Sequence, residues 1–166
     1  MQIVINGMPI AYEEHGAGPA VLLLLHGLPA DSSLWNNHIQ PLMLAGYRVI
    51  VPEFHSCGES SAPDVECSMD VLSEKVVGLL NYLGIGRAAI VGLSLGSHIL
   101  QTLLQRYPQR MAAAVFVEPR IRKDADAENE CLTDLISKRR FSHGLLDFLN
   151  GVKRLRPRYP IFRQVA

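Results

Sequence analysis

Four short apolar runs constrain the fold of this chain more than any other feature of its sequence. They are rich in aliphatic side chains and comprise Ala20–Leu25, residues 47–51, Ala88–Leu93 and Met111–Val117. An uninterrupted apolar run of this length is typical of a strand that is buried on both faces of a sheet. Between the runs, residues at about 35–45, 68–83 and 94–107 are predicted to form helices. Strands that alternate with helices predict an α/β fold with a mainly parallel sheet and helices on both faces.

The first fifteen residues predict a different local structure, an antiparallel hairpin. Gln2–Ile5 and residues 9–14 are β-prone segments, and the Asn6-Gly7 pair between them is a strong signal for a tight turn. The breakers from His15 to Pro19 then predict a loop before the first buried strand.

Polar residues follow the buried runs at one edge of the predicted sheet. His26, Glu53, Ser94 and Glu118 each lie one or two residues beyond the end of a run. In open α/β sheets, ligands bind outside the carboxyl ends of the strands. This edge is therefore the predicted functional face.

The motif that carries most of the chemistry is G-x-S-x-G, present as Gly92-Leu93-Ser94-Leu95-Gly96. Between a strand and a helix, this pattern places serine on a strained turn that exposes its hydroxyl, and the small residues let strand and helix pass closely. The helix N-terminus favours developing negative charge, and the backbone N–H of Leu95 can donate to an oxyanion. The strand–turn–helix context predicts Ser94 as a nucleophile, whereas the alternative is an ordinary glycine-rich turn.

Residues 3–119 resemble the α/β-hydrolase family over several blocks in the family's order. Besides the elbow, the blocks are residues 26–29 (HGLP), 31–35 (DSSLW), 46–52 (GYRVIVP), 58–61 (GESS) and 106–110 (RYPQR). The resemblance implies that the backbone N–H of Leu28 is the second oxyanion donor and that His26 braces this loop. The family usually has Asp where Glu53 stands, which predicts a less tightly turned loop after that residue.

A serine nucleophile implies acyl transfer, in which an acyl-enzyme forms and is then hydrolysed. Dehalogenases and epoxide hydrolases of the family have Asp at this position, so Ser94 argues against those activities. Serine-bearing relatives also include carbon–carbon bond hydrolases, cofactor-free haloperoxidases and aminopeptidases, which these residues do not separate. We therefore expect a serine hydrolase of the carboxylic ester hydrolase type, acting on a small ester or lactone.

The family's triad runs in the order serine, acid, histidine, and two residues are candidates to complete it. Glu118 follows a strand, where some family members place the acid; the alternative is a solvated or loop-capping carboxylate. His143 has the right position in the chain order to be the base, and its alternative is a helix-capping or surface role. The predicted catalytic residues are thus Ser94, Glu118 and His143.

Residues 120–166 differ from residues 1–119 in charge and in pattern. The first 119 residues hold five Lys/Arg and ten Asp/Glu, whereas the last 47 hold eleven and six. We expect a partial α/β-hydrolase core followed by a basic helical tail, with helices at about 124–139 and 142–152 that could begin a cap. The sheet is then truncated after Met111–Val117, and an exposed apolar edge of this kind favours a homodimer.

Composition narrows the partners of the chain. Lys+Arg and Asp+Glu both number 16, so the whole chain shows no basic footprint for nucleic acid. The three cysteines match neither a disulfide framework nor a metal site, and this usage is typical of a reducing compartment. No apolar run is long enough to span a membrane, and the first residues lack a signal peptide. We expect a cytoplasmic protein without metal or cofactor.

Two further hypotheses stand beside the hydrolase. The absent last strands are consistent with a catalytically inactive family member that binds a small ligand or a protein partner. The basic tail, with Lys153, Arg154, Arg156 and Arg158, is the basis for an interaction protein that binds acidic surfaces. A lone serine is a poor nucleophile, so activation of Ser94 by a base distinguishes the hydrolase from the inactive form.

Overall fold

The computed structural model describes residues 1–54, 68–117 and 142–143, which form a seven-stranded sheet and three α-helices. The strands are β1 (Gln2–Ile5), β2 (Met8–His15), β3 (Ala20–Leu25), β4 (Tyr47–Glu53), β5 (Ala88–Leu93), β6 (Met111–Val117) and β7 (Ser142–His143). The helices are α1 (Asn36–Leu44), α2 (Met69–Tyr82) and α3 (Leu95–Arg106), with short 3-10 helices at Ser32–Trp35 and Pro108–Arg110.

The strand order is β1-β2-β4-β3-β5-β6-β7. Strands β1, β2 and β4 pair antiparallel, and all pairs from β4 to β7 are parallel. The mainly parallel sheet and the hairpin are therefore as predicted. From β3 the chain continues to one side with β4 and returns to the other side with β5. In such a fold, ligands bind in the crevice outside the carboxyl ends of the two strands where the order reverses, which here are β3 and β5.

The turn of the hairpin follows from two residues with positive φ. Asn6 and Gly7 have φ of 50° and 77°, which suits a tight connection whose twist matches the flanking strands. The register then pairs Ile5 with Met8 directly across the turn. This hairpin adds two antiparallel strands to the parallel part of the sheet.

The core has two layers because β3 is buried on both faces. Leu23 and Leu25 pack in the layer that contains α2 and α3, whereas Leu22 and Leu24 pack in the layer that contains α1. All four side chains are fully buried. An uninterrupted aliphatic run is the sequence that such a strand requires, because successive side chains point to opposite faces.

Two predicted boundaries differ from the observed ones by more than one residue. The first turn before α1 is a 3-10 helix, with Asp31 Oδ1 accepting from the N–H of Ser33 at 2.9 Å. Strand β4 continues past residue 51 to Glu53, because β2 pairs beside it from His15 to Ala11. This extension places Glu53 inside the sheet register, opposite Ala11.

The end of the chain shows one clear correction. The helix predicted for residues 142–152 is wrong at its start, because the backbone of residues 142 and 143 is strand β7, parallel to β6. A backbone pairing with Val115 and Phe116 replaces the helical pattern there. The helix predicted at 124–139 lies outside the described residues, and the division at residue 119 stays a prediction. In the described part of the chain, no helix is long and apolar enough to cross a membrane.

Candidate active site

Ser94 lies between β5 and α3 with a backbone conformation that side-chain-bearing residues rarely adopt. Its φ is 49° and its ψ is −108°, and it is the N-cap residue of α3. Such a conformation costs about 1–3 kcal/mol and persists only where the surroundings hold it. The Ser94 N–H donates to the Val117 carbonyl at 3.1 Å, and the Ser94 carbonyl accepts from the N–H of Ser97 at 2.9 Å. The predicted nucleophile thus stands on the strained turn expected of it.

The two glycines of the motif stand where backbones approach closely. A Cβ atom on Gly92 would collide with the Gly96 carbonyl and lie 2.8 Å from the Ser97 nitrogen. A Cβ atom on Gly96 would collide with the Leu25 carbonyl of β3. The glycine at either position is therefore required by space, because strand, turn and helix cross without room for a side chain.

Ser97 is a residue of the elbow that the sequence analysis did not single out. Its buried hydroxyl lies 2.6 Å from the Gly92 carbonyl and 3.1 Å from the Val117 carbonyl. It therefore connects the ends of β5 and β6 directly beneath Ser94. The available signal was a small polar residue on a helix face whose next buried members, Leu100 and Leu104, are aliphatic.

The turn after β3 brings a second backbone segment against Ser94. A Cβ atom on Gly27 would lie 2.9 Å from the Cβ of Ser94, so only glycine fits beside the nucleophile. Leu28, the expected second oxyanion donor, follows at once and has a side chain that is 42% exposed. The structure thus brings Gly27 next to Ser94, and the oxyanion-donor roles of Leu28 and Leu95 stay predictions.

His26 is buried and has neighbours at both ring nitrogens. Nδ1 lies 3.1 Å from the Gly27 carbonyl, and Nε2 lies 2.8 Å from Glu53 Oε1 and 3.0 Å from the Phe54 nitrogen. The second carboxylate oxygen of Glu53 accepts from the N–H of Ser32 at 3.0 Å. These contacts agree with the expected bracing role of His26.

The structure describes the backbone of the predicted base, His143, whereas the predicted acid, Glu118, is outside the described residues. Glu118 lies outside the described residues, directly after Val117, which pairs with Leu93 in the β5–β6 register. The backbone of His143 pairs with Phe116, whose partner on β5 is Gly92. His143 is therefore two strands from β5, close to the level of the elbow. The catalytic roles of Glu118 and His143 stay predictions.

Two further histidines of the described chain, His98 and His15, have local contacts. His98 lies on α3, where its carbonyl accepts from Thr102 Oγ1 at 3.2 Å and its N–H reaches the Ser94 carbonyl at 3.3 Å. His15 Nε2 lies 2.9 Å from Glu13 at the surface. Among residues 1–54 and 68–117, no group of three His, Cys, Asp or Glu side chains is arranged to hold a metal ion.

Comparisons with known proteins identify the family. A family model described as alpha/beta hydrolase fold matches residues 20–144. Bifunctional epoxide hydrolase 2 of Sus scrofa is 37% identical over 113 residues, 67% of this chain and 20% of that protein. A 2-hydroxy-6-oxononadienedioate/2-hydroxy-6-oxononatrienedioate hydrolase of Burkholderia vietnamiensis is 34% identical over 112 residues, 65% of this chain and 39% of that protein.

The solved structures agree with this assignment. Epoxide hydrolase A from Mycobacterium thermoresistibile matches with a TM-score of 0.67 and 27% identity, covering 82% of this chain and 44% of that one. The chain spans only between a fifth and two fifths of the length of the two curated relatives above. The matched residues include the whole elbow and the turn after β3. The chain therefore belongs to the α/β-hydrolase family.

Proposed function

We propose that this chain is a serine hydrolase that acts on a small ester or lactone through an acyl-enzyme on Ser94. The observation that carries the proposal is the conformation of Ser94, a non-glycine residue with φ of 49° at the start of α3. Two glycines hold this turn by close backbone approach, and Gly27 packs against it. A protein retains backbone strain where the surroundings over-determine it, and such strain clusters at active sites.

The proposed reaction begins when Ser94 Oγ bonds to the acyl carbon of the substrate. The base takes the hydroxyl proton and passes it to the leaving alcohol oxygen as the ester bond breaks. Water then attacks the acyl-enzyme and releases the acid, and the proton returns to Ser94. In this proposal His143 is the base and Glu118 orients it.

The first turn of α3 is well placed to stabilise the oxyanion. The first four N–H groups of a helix have no intrahelical acceptor, and Leu95 is the first residue of α3. The N–H of Ser94 itself is used by the Val117 carbonyl. Leu95 and Leu28 are therefore the proposed donors, and preorganised donors of this kind lower the barrier by several kcal/mol.

The relatives bear on the substrate only in a general way. Two of those compared above are named as epoxide hydrolases and one as a hydrolase of an oxo-dienedioate. Ser94 favours the acyl-enzyme route over epoxide opening, because epoxide hydrolases of the family have Asp at this position. A small ester or lactone remains the proposed substrate class.

Turnover of a short-chain chromogenic ester by the purified chain tests the proposal. We expect Ser94→Ala and His143→Ala each to lower kcat by about 10⁴-fold or more, because nucleophile and base act as one unit. His15→Ala, which changes a surface histidine, is the matched control and should keep wild-type turnover. Reaction of Ser94 with a fluorophosphonate, read by mass spectrometry, reports activation of the serine independently of the substrate chosen.

One outcome would favour the inactive family member instead. If the wild-type chain hydrolyses the ester no faster than Ser94→Ala and does not react with the fluorophosphonate, the chain has no working base. The proposed activity would then be wrong. Binding of a small ligand or a protein partner would become the explanation for the preserved elbow.

A further inference from the structure

The Glu53 carboxylate connects two parts of the turn that follows β3. Oε1 lies 2.8 Å from Nε2 of His26, and Oε2 accepts from the backbone N–H of Ser32 at 3.0 Å. The side chain of His26 is 1% exposed and that of Glu53 is 10% exposed. A carboxylate withdrawn from water in this way needs partners for its charge, and both of its oxygens have a polar neighbour here.

We propose that Glu53 is a positioning residue for the oxyanion hole and acts through His26 and the Gly27 carbonyl on the N–H of Leu28. This inference rests on the proposed function, in which Leu28 is an oxyanion donor. Glu53 itself touches no reacting atom in this proposal. Its contribution is to hold a peptide plane at the required angle.

The link from His26 to Leu28 is a single peptide group. The Gly27 carbonyl and the Leu28 N–H belong to the same trans peptide, which is planar, so the two groups point in opposite directions. The Gly27 carbonyl can only accept, and therefore Nδ1 of His26 donates to it at 3.1 Å. A hydrogen bond that fixes the carbonyl direction also fixes the direction of the N–H.

His26 in turn is held at its other nitrogen. Nε2 can accept from the N–H of Phe54 at 3.0 Å when it is unprotonated, or donate to Glu53 when it is protonated. Glu53 therefore holds the ring when Nε2 carries a proton, because a carboxylate oxygen can only accept, and the N–H of Phe54, the next residue, holds it when Nε2 does not. Phe54 is also buried, and its ring centroid is 5.4 Å from that of His26.

The second carboxylate oxygen fixes the far end of the same turn. Ser32 begins the 3-10 helix that precedes α1, so its hydrogen bond to Glu53 sets where the turn ends. An aspartate side chain is one methylene shorter, about 1.5 Å, and from the same backbone position could not keep both contacts. The reach of glutamate therefore suits this bridge.

A comparison of the Glu53→Met and Glu53→Gln variants distinguishes a positioning role of Glu53 from a general effect on protein stability. Methionine keeps the side-chain length but removes both contacts, whereas glutamine keeps a polar atom for each. We expect Glu53→Met to lower kcat about 10- to 100-fold with KM nearly unchanged, less than the loss of a whole oxyanion donor. Glu53→Gln should restore most of kcat. Glu13→Met, at an exposed glutamate of β2, is the matched control.

Amide hydrogen exchange followed by NMR gives a readout that does not require activity. In Glu53→Met we expect the amides of Ser32 and Phe54, which donate to Glu53 and to His26, to exchange at least about tenfold faster, while amides in α2 and β6 keep their rates, and Glu53→Gln should reverse the change. Unchanged exchange at Ser32 and Phe54, or exchange raised equally throughout the chain, would overturn the inference. An equal rise in KM and fall in kcat would also count against it.

The two proposals fail in different ways. If the wild-type chain has no turnover and no fluorophosphonate reaction, the proposed function is wrong, and the exchange rates alone decide whether Glu53 and His26 order the turn after β3. If the wild-type chain is active but Glu53→Met has wild-type kcat and exchange, the positioning role is wrong and the hydrolase proposal stands.

Discussion

Gly92 and Gly96 stand where the backbone of another segment leaves no room for a Cβ atom. Each glycine of the motif has a steric reason that depends only on a strand meeting a helix, so the pattern could be recognised from the sequence. The contacts of Glu53 and Ser97 could not, because they depend on which carbonyl or ring the fold brings within 3 Å. A side chain's type can be read from a motif, but its partner depends on tertiary structure.

Gly92→Ala tests the steric reason directly, with Gly86→Ala as the matched control. The new methyl group at residue 92 would collide with the Gly96 carbonyl, whereas residue 86 has open space around the same position. We expect Gly92→Ala to lower the free energy of unfolding by at least about 2 kcal/mol. Gly86→Ala should change it by less than about 1 kcal/mol. Urea denaturation followed by circular dichroism measures both, and equal effects would contradict the steric explanation.

The strands buried on both faces were predicted with their observed bounds. Ala20–Leu25, Ala88–Leu93 and Met111–Val117 end where their apolar runs end, because both faces of these strands are largely buried. The bounds of β4 were missed because they depend on pairing with β2, a contact distant in sequence. Strand β7 was missed because two residues carry no periodicity, and the leucines that follow them favoured a helix.

Helix α2 carries a buried charge on the face that packs against the core. Ser68 caps its start by accepting from the N–H of Val71 at 3.2 Å, and Leu72, Val76 and Leu79 are buried along it. Lys75 is only 4% exposed, and no ion pair is seen for it within the part of the chain that the structure describes. Burial lowers the pKa of Lys75 below 10.5, because desolvation disfavours the ammonium form.

Lys75→Met should therefore stabilise the protein, and the gain should depend on pH. The folded state loses the Lys75 proton at a lower pH than the unfolded state, so wild-type stability rises with pH between the lowered pKa and 10.5. We expect Lys75→Met to add roughly 0.5–2 kcal/mol to the free energy of unfolding at pH 7. The gain should shrink as the pH approaches 10.5.

Urea denaturation at pH 7 and pH 10.5 measures this difference. Gln105→Met, at an exposed position of α3, is the matched control, because it adds a methionine without removing a buried charge. Its effect should stay within about 0.5 kcal/mol at both pH values. A Lys75→Met variant that is less stable than wild type at pH 7 would show that the ammonium group has a favourable partner.

The sheet as a whole explains why the candidate site lies where it does. After β3 the chain adds β4 on one side of it and then β5 and β6 on the other side, all parallel to it. The turns that follow β3 and β5 therefore lie side by side, and they meet at Gly27 and Ser94. The alternation of strands and helices was sufficient to predict this edge of the sheet as the functional one. It was not sufficient to predict strand β7, because this strand reaches the sheet from a segment whose sequence pattern favours a helix.

The outer edge of β6 gives the prediction on association. In the part of the chain that the structure describes, β7 pairs with β6 only at Val115 and Phe116, so residues 111–114 have no strand partner on that side. An apolar strand edge with unpaired N–H and C=O groups pairs readily with another chain. We therefore expect the purified chain to form a dimer through this edge, which gel filtration with light scattering would detect as twice the mass of one chain.

Ala112→Lys tests which edge is used, because Ala112 is the exposed residue of β6. A lysine at this edge should disfavour strand pairing by repulsion between the two copies and shift the protein to the mass of one chain. Val4→Lys is the matched control on the opposite edge of the sheet, where Val4 is 70% exposed on β1, and it should leave the dimer intact. A monodisperse wild-type monomer would refute the association, and loss of the dimer in Val4→Lys alone would place the contact on the β1 edge.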